Sequence, residues 1–199
     1  DYILHVKIPG SYVNAWYPMY FGTTLQSIGV SFDLENHKPY CLRQKQRLNE
    51  RQNNPDYKKD WDQRNISLKI KPGGTKNVTP DWALNKYMVE AGVDEHGFKL
   101  YESRHNDTIK EDGRDYNQIH VIPSGIITDY PTWMRCHSKG SNKLNKEWAN
   151  KRTRCQIILQ HPNAYLHTSF DWRLATDLPA LKEQVFAFFE KYLVEIEQK

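Results

Sequence analysis

The sequence predicts an α+β fold: a largely antiparallel β-sheet, a long C-terminal helix packed on one face of it, and a second helix near residues 80–91. Three observations carry this prediction. Short runs of alternating apolar and polar residues recur along the chain and are mostly joined by turn signals. Leu178, Leu181, Val185, Phe188, Phe189, Tyr192 and Ile196 recur at three- and four-residue steps, a helix stripe of about five turns. Strands in runs, with two separated helices, suit an antiparallel α+β arrangement better than alternating βαβ units.

Taken in order, Asp1 to Ile8 alternates and stops at Pro9-Gly10, as a strand does. Ser11 to Tyr20 is aromatic but irregular and reads as a covered crossing. Leu25 to Leu34 alternates again, with Ile28, Val30 and Phe32 expected on the buried face. Cys41 to Arg64 is a polar insertion, an exposed helix or loop rich in arginine and lysine. Ile66, Leu68 and Ile70 mark a short strand closed by Pro72-Gly73-Gly74.

Thr79-Pro80-Asp81 is a helix start: a capping threonine, a proline at the first helical position and an acid that complements the dipole. Trp82, Leu84, Tyr87, Met88 and Ala91 would form its buried side, with Gly92 as its stop. Strands follow over 97–102 and 116–122, with 126–128 extending or neighbouring the latter. Trp133 to His137 and Thr153 to Gln160 read as hairpin arms joined by a long basic link, 139–152. Tyr165 to Phe170 is another strand, and Asp177 caps the terminal helix, read as running to Glu197. At 199 residues the chain is read as a single domain, 1–199.

The composition, 38% hydrophobic and 13% aromatic, is enough for a real core and excludes wholesale disorder. Tyrosine and tryptophan are also favoured at protein interfaces. A net charge of +4 and a pI near 8.8 are milder than a dedicated nucleic-acid binder usually shows. No run of apolar residues is long enough to span a membrane. The chain begins at Asp1, so a signal, lipid-anchor or membrane segment upstream is expected, with simple truncation as the alternative.

Of the three cysteines, Cys136 and Cys155 sit at matching places in consecutive strands and are the plausible disulfide, with Cys41 left over. The pair points to an oxidising compartment. Three reduced, buried cysteines in a cytosolic protein are the alternative.

The chemistry-bearing signatures are missing. There is no glycine-rich phosphate loop, nucleophile elbow, or paired histidine or cysteine spacing for zinc. No catalytic residue, metal or cofactor is therefore assigned. His120 and His167 on strands, with Asp115 and Asp171 near strand ends, could be assembled into a hydrolase or metal site. The same residues equally suit core edges and turns, and Ser124 is a turn serine before it is a nucleophile. Sequons at Asn65, Asn77 and Asn106 keep a eukaryotic secreted origin open.

Two basic, aromatic segments stand out as a candidate contact surface: Arg43, Arg47, Arg51, Tyr57 and Trp61 in the polar insertion, and Lys143, Lys146 and Trp148 in the hairpin link. Such segments could track a single strand of nucleic acid. Long loops on a rigid sheet are also where protein recognition is built, and an acidic protein partner is the preferred expectation.

The C-terminal arrangement is Trp133-X-X-Cys136, a basic link, Cys155 opening an apolar strand, another strand, Phe170-Asp171 and an amphipathic terminal helix. Over Trp133 to Tyr192 it resembles membrane-anchored periplasmic immunity proteins associated with type VI secretion toxins. That resemblance implies a non-catalytic, periplasmic domain that binds and neutralises a cognate toxin, tethered if at all by a segment upstream of Asp1. It carries over no functional residue, because such proteins inhibit through variable surfaces.

Overall fold

The computed structural model describes residues 2–13, 27–39, 64–73, 88–103, 116–138 and 154–198. Their strands are β1 (Tyr2–Val6), β2 (Ile28–Asp33), β3 (Asn65–Pro72), β4 (Met88–Val93), β5 (Lys99–Ser103), β6 (Tyr116–Ile122), β7 (Thr132–Ser138), β8 (Arg154–His161), β9 (Ala164–Asp171) and β10 (Leu193–Gln198). Helix α1 is Leu178–Tyr192.

Strands β2 to β9 form an eight-stranded sheet in the order β2-β3-β9-β8-β7-β6-β5-β4, and β1 pairs separately with β10. Every pairing is antiparallel. From β4 to β9 the sheet is a continuous meander; the β2–β3 pair is added at the β9 side.

Register explains the alternation in the sequence. One transverse row runs Val30–Leu68–Thr168–Ile157–Met134–His120–Leu100–Gly92, each residue opposite the next. Residues in one row share a face, because side chains alternate along every strand. This is the inner face: Val30, Leu68, Thr168, Ile157, Met134 and His120 are all buried.

Helix α1 covers that face. Asp177 caps it through Oδ1, accepting from the Ala180 N–H at 3.0 Å, and Pro179 occupies its first turn. Leu178, Leu181, Val185, Phe188 and Phe189 are buried, and Phe188 stacks on Phe32 with ring centroids 3.9 Å apart. Cys136 and Cys155 are direct cross-strand partners on β7 and β8 and are disulfide-bonded. They lie inside the same core cluster as the helix stripe.

The structure corrects four expectations. The segment from Met88 is strand, not the end of a helix over 80–91; what precedes Met88 there lies outside the described residues. Gly92, with φ of 114°, sits at a bulge where β4 slips register against β5, so it marks a strand irregularity and not a helix stop. The C-terminal helix ends at Tyr192, where the Leu193 N–H returns to Glu190 and Phe189. Beyond it Leu193–Gln198 pairs with β1; a slip between His5 and Val6 leaves Val194 unmatched and 66% exposed. Ile196 belongs to this strand, its spacing having coincided with the helix stripe. Finally, 126–128 lies in the turn between β6 and β7 and is not strand, and of the crossing over 11–20 the described part is a single 3-10 turn, Gly10–Tyr12.

Candidate functional site

The candidate contact residues Arg43, Arg47, Arg51, Tyr57, Trp61, Lys143, Lys146 and Trp148 lie outside the described residues, as does Cys41. The strand ends that launch their segments are described, and they are informative. Asp33 pairs with Asn65, Arg154 with Asp171, Tyr116 with Ser138, and Met88 with Ser103. All of these residues lie at one end of the eight-stranded sheet. From this end depart 40–63, 104–115 and 139–153, and at it 74–87 arrives. The opposite end carries the short turns 94–98, 123–131 and 162–163; 14–26 also arrives at it, before β2, and 74–87 leaves from it, after β3.

The polar insertion leaves from β2 and β3 and the basic link from β7 and β8, so only β9 separates the two departure points. At a strand spacing of ~4.8 Å, β3 and β8 are about 10 Å apart. Arg154 ties this corner together: its Nη2 donates to the Asn65 carbonyl at 3.3 Å and the Ser169 carbonyl at 3.0 Å, and its Nε to Ser169 Oγ at 3.3 Å. The disulfide sits one residue further in on β7 and β8.

The titratable groups gather elsewhere, around a residue that the sequence reading did not single out. Asp94 opens the β4–β5 turn. Its Oδ1 accepts the His96 and Phe98 N–H groups at 2.8 and 2.9 Å, and its Oδ2 meets His120 Nδ1 at 2.5 Å. Gly97, with φ of 82°, supplies the left-handed residue that this turn requires. Burial alone would raise the Asp94 carboxyl, but the His120 hydrogen bond and the two backbone N–H groups outweigh it and hold the group below the usual aspartate value.

His120 side-chain exposure is 4% and that of Asp94 is 7%. Trp172, first residue of the 3-10 segment after β9, closes over them: its ring centroid lies 4.7 Å from that of His120 and 4.5 Å from that of His96. Its indole N–H donates to Glu95 Oε1 at 2.7 Å. With Nδ1 committed to Asp94, His120 Nε2 is buried and has no hydrogen-bond partner; the same holds for His96 Nε2. Chemically this is an oriented imidazole sealed under an indole, a fastening between turn and sheet. Among the described residues no group of three or more metal-ligating side chains occurs.

The hydrolase cluster assembled from sequence does not form as drawn. His167 pairs with Lys69 and Ile158 in the row beside the one holding His120, and so points to the opposite face. Asp171 caps the 3-10 segment and is held by Arg173, whose Nε lies 2.7 Å from its Oδ1. Ser124 is exposed in the β6–β7 turn, and Asp115 lies outside the described residues. Only the pairing of His120 with a carboxylate occurs, and with Asp94. The signal for Asp94 was Asp94-Glu95-His96-Gly97, a turn between strands once 88–93 is read as strand and not helix.

No protein-family model and no curated protein matches the chain. Among solved structures, it is similar to an immunity protein of the Stenotrophomonas maltophilia type IV secretion system, with 10% identity and a TM-score of 0.47, over 96% of this chain and 90% of that chain. A likeness this loose carries no assignment of fold or function to this chain.

Proposed function

We propose that this chain is a non-catalytic protein-binding domain of the periplasm, an immunity protein that neutralises a cognate toxin. The observation that carries this reading is the placement of the two basic, aromatic segments: both leave from the same end of the sheet, either side of β9. Long connections carried on a rigid frame are where binding specificity is commonly built. The Cys136–Cys155 bond beside those connections suits an oxidising compartment. Arg43, Arg47, Arg51, Tyr57 and Trp61, with Lys143, Lys146 and Trp148, are the proposed contacts, and arginine, tryptophan and tyrosine are the residues in which interface energy concentrates.

The test is protection. The chain, directed to the periplasm, is co-expressed with the product of the neighbouring gene, and the affinity of the purified pair is measured. The expected result is restored growth and a complex that weakens at least tenfold, about 1.4 kcal/mol, when Arg43, Arg47 and Arg51 are reversed to Glu. Absence of both protection and complex would overturn the proposal. So would hydrolytic activity of the purified chain that is lost in His120→Gln.

A further inference from the structure

We infer that the sheet face turned away from helix α1 is a docking surface for an acidic protein, through Lys69, Lys71, Lys99 and Arg135 set among half-buried aromatic side chains. The inference rests on the partner-binding reading and specifies the partner's chemistry.

The register places these groups together. A row on this face runs Ser31–Ser67–Ser169–Gln156–Arg135–Ile119–Tyr101–Glu90. Beside it Lys69 faces His167, Trp133 faces Val121, and Val121 faces Lys99. One step further, Lys71 faces Tyr165 and Tyr165 faces Gln160, which accepts the hydroxyl of Tyr130. Tyr101, Trp133 and Tyr165 are each partly accessible, and Lys99 and Arg135 are exposed. This mixture of aromatic area and cations is what interfaces favour.

Among the described residues the charge on the face is uncompensated. Elsewhere on the described chain several cations and histidines find carboxylates: Arg64 with Asp33 and Glu35, Arg173 with Asp171, His161 with Glu190, and His5 with Glu197. Lys69, Lys71, Lys99 and Arg135 have no ion-pair partner among the described residues. Among the described residues the carboxylates near the face, Glu90 and Asp129, stand at its margins, Glu90 on the edge strand and Asp129 in the turn beside Tyr130. His167 reports the same field: burial first, then the Lys71 and Lys69 ammoniums, lower its pKa, so it stays neutral at pH 7.

Geometry and sign select the occupant. From β3 to β5 the face spans five strand spacings, ~24 Å, and strands of seven or eight residues give ~24 Å in the other direction, a plan area of about 600 Å². That is the order of the ~800 Å² each partner buries in a standard interface. A second copy of this chain would set cations against cations. A phosphate backbone calls for a denser stripe of charge than cations spread over six strands. A protein presenting spaced carboxylates between apolar side chains matches both the spacing and the aromatic area.

The experiment titrates the full chain with poly-L-glutamate, a single-stranded oligonucleotide and vesicles of phosphatidylglycerol, at about 0.1 M salt, where screening over ~10 Å leaves mainly contacting charges. Tryptophan fluorescence is followed for the wild type, for Lys69→Glu/Arg135→Glu, for the milder Lys69→Met/Arg135→Met, and for Lys7→Glu/Lys38→Glu as a control with the same change in net charge on exposed positions elsewhere. The expected result is preferential binding of polyglutamate, weakened tenfold or more by the first pair, severalfold by the second, and less than twofold by the control. Equal losses in face and control variants, or tighter binding of oligonucleotide or vesicles, would overturn the inference. The same variants enter the protection assay. Protection unaffected by them removes this surface and leaves the immunity reading standing; polyglutamate binding without any protection does the reverse.

Discussion

Replacing Asp94 by Asn tests how the β4–β5 turn is fastened to the sheet. The exchange is nearly isosteric, and Oδ1 can continue to accept from the His96 and Phe98 N–H groups. The change falls on the other oxygen, 2.5 Å from His120 Nδ1, where an amide NH₂ now faces a ring N–H. To avoid donor against donor, the ring must move its proton to Nε2, an atom that lies buried with no partner. Loss of a charge-assisted hydrogen bond costs about 1.5–3 kcal/mol, and a buried donor left unmade costs ~1–3 kcal/mol. These overlap, so a net loss of about 2–3 kcal/mol is expected. Asp94→Ala, which also frees the two turn N–H groups, should cost about 1 kcal/mol more. For a chain of this size 2–3 kcal/mol corresponds to a fall in Tm of roughly 4–12 °C. Urea denaturation followed by tryptophan fluorescence measures the loss, and nitrogen NMR of the imidazole identifies the tautomer. If Asp94→Asn stays within ~0.5 kcal/mol of wild type and His120 keeps its proton on Nδ1, the proposed fastening is wrong.

Three further outcomes follow from the core and from charge. Reducing the Cys136–Cys155 bond, whose ends are 19 residues apart, should lower unfolding free energy by about 3 kcal/mol; an unchanged urea midpoint with both thiols titratable would contradict this. Phe188→Ala removes a fully buried ring that stacks on Phe32, meets Tyr12 edge-on and lies tilted against Tyr192, and should cost about 3–5 kcal/mol by denaturation. His37 and His167 both titrate below 6.5 in the folded chain, burial being the first cause in each. A histidine with a depressed folded value binds more protons when unfolded, so its contribution to stability is present above the unfolded pKa and lost as pH falls through the folded one. Stability should therefore decline from about pH 6.5 downward, and Lys71→Met, by removing a neighbouring ammonium, should raise the His167 pKa seen by NMR.

What the sequence made legible was whatever rests on local period. The β8 and β9 arms, the β2 face with Val30 and Phe32, the Asp177 cap and the apolar stripe of α1 follow from alternation and three- or four-residue spacing alone. The staple followed from two cysteines at matching depths in consecutive strands. Where two periods coincide, the reading failed: Met88 and Ala91 fit a helix face yet lie in a strand that pairs with β5 across a short turn, and Ile196 fits the helix stripe yet pairs with Leu4 at the other end of the chain. Asp94 escaped because its importance comes from His120, 26 residues away on another strand. The ladder between β1 and β10 lies furthest from local reach, since nothing in either segment names the other.

That last ladder also sets how the molecule responds to load. Tyr2 lies opposite Gln198, so the two ends leave side by side, at the open mouth of a two-stranded antiparallel pair. A pull applied across them opens the pair one hydrogen-bonded rung at a time, as a zipper does, and meets little resistance at each step. The eight-stranded sheet takes up strain only after those rungs are gone.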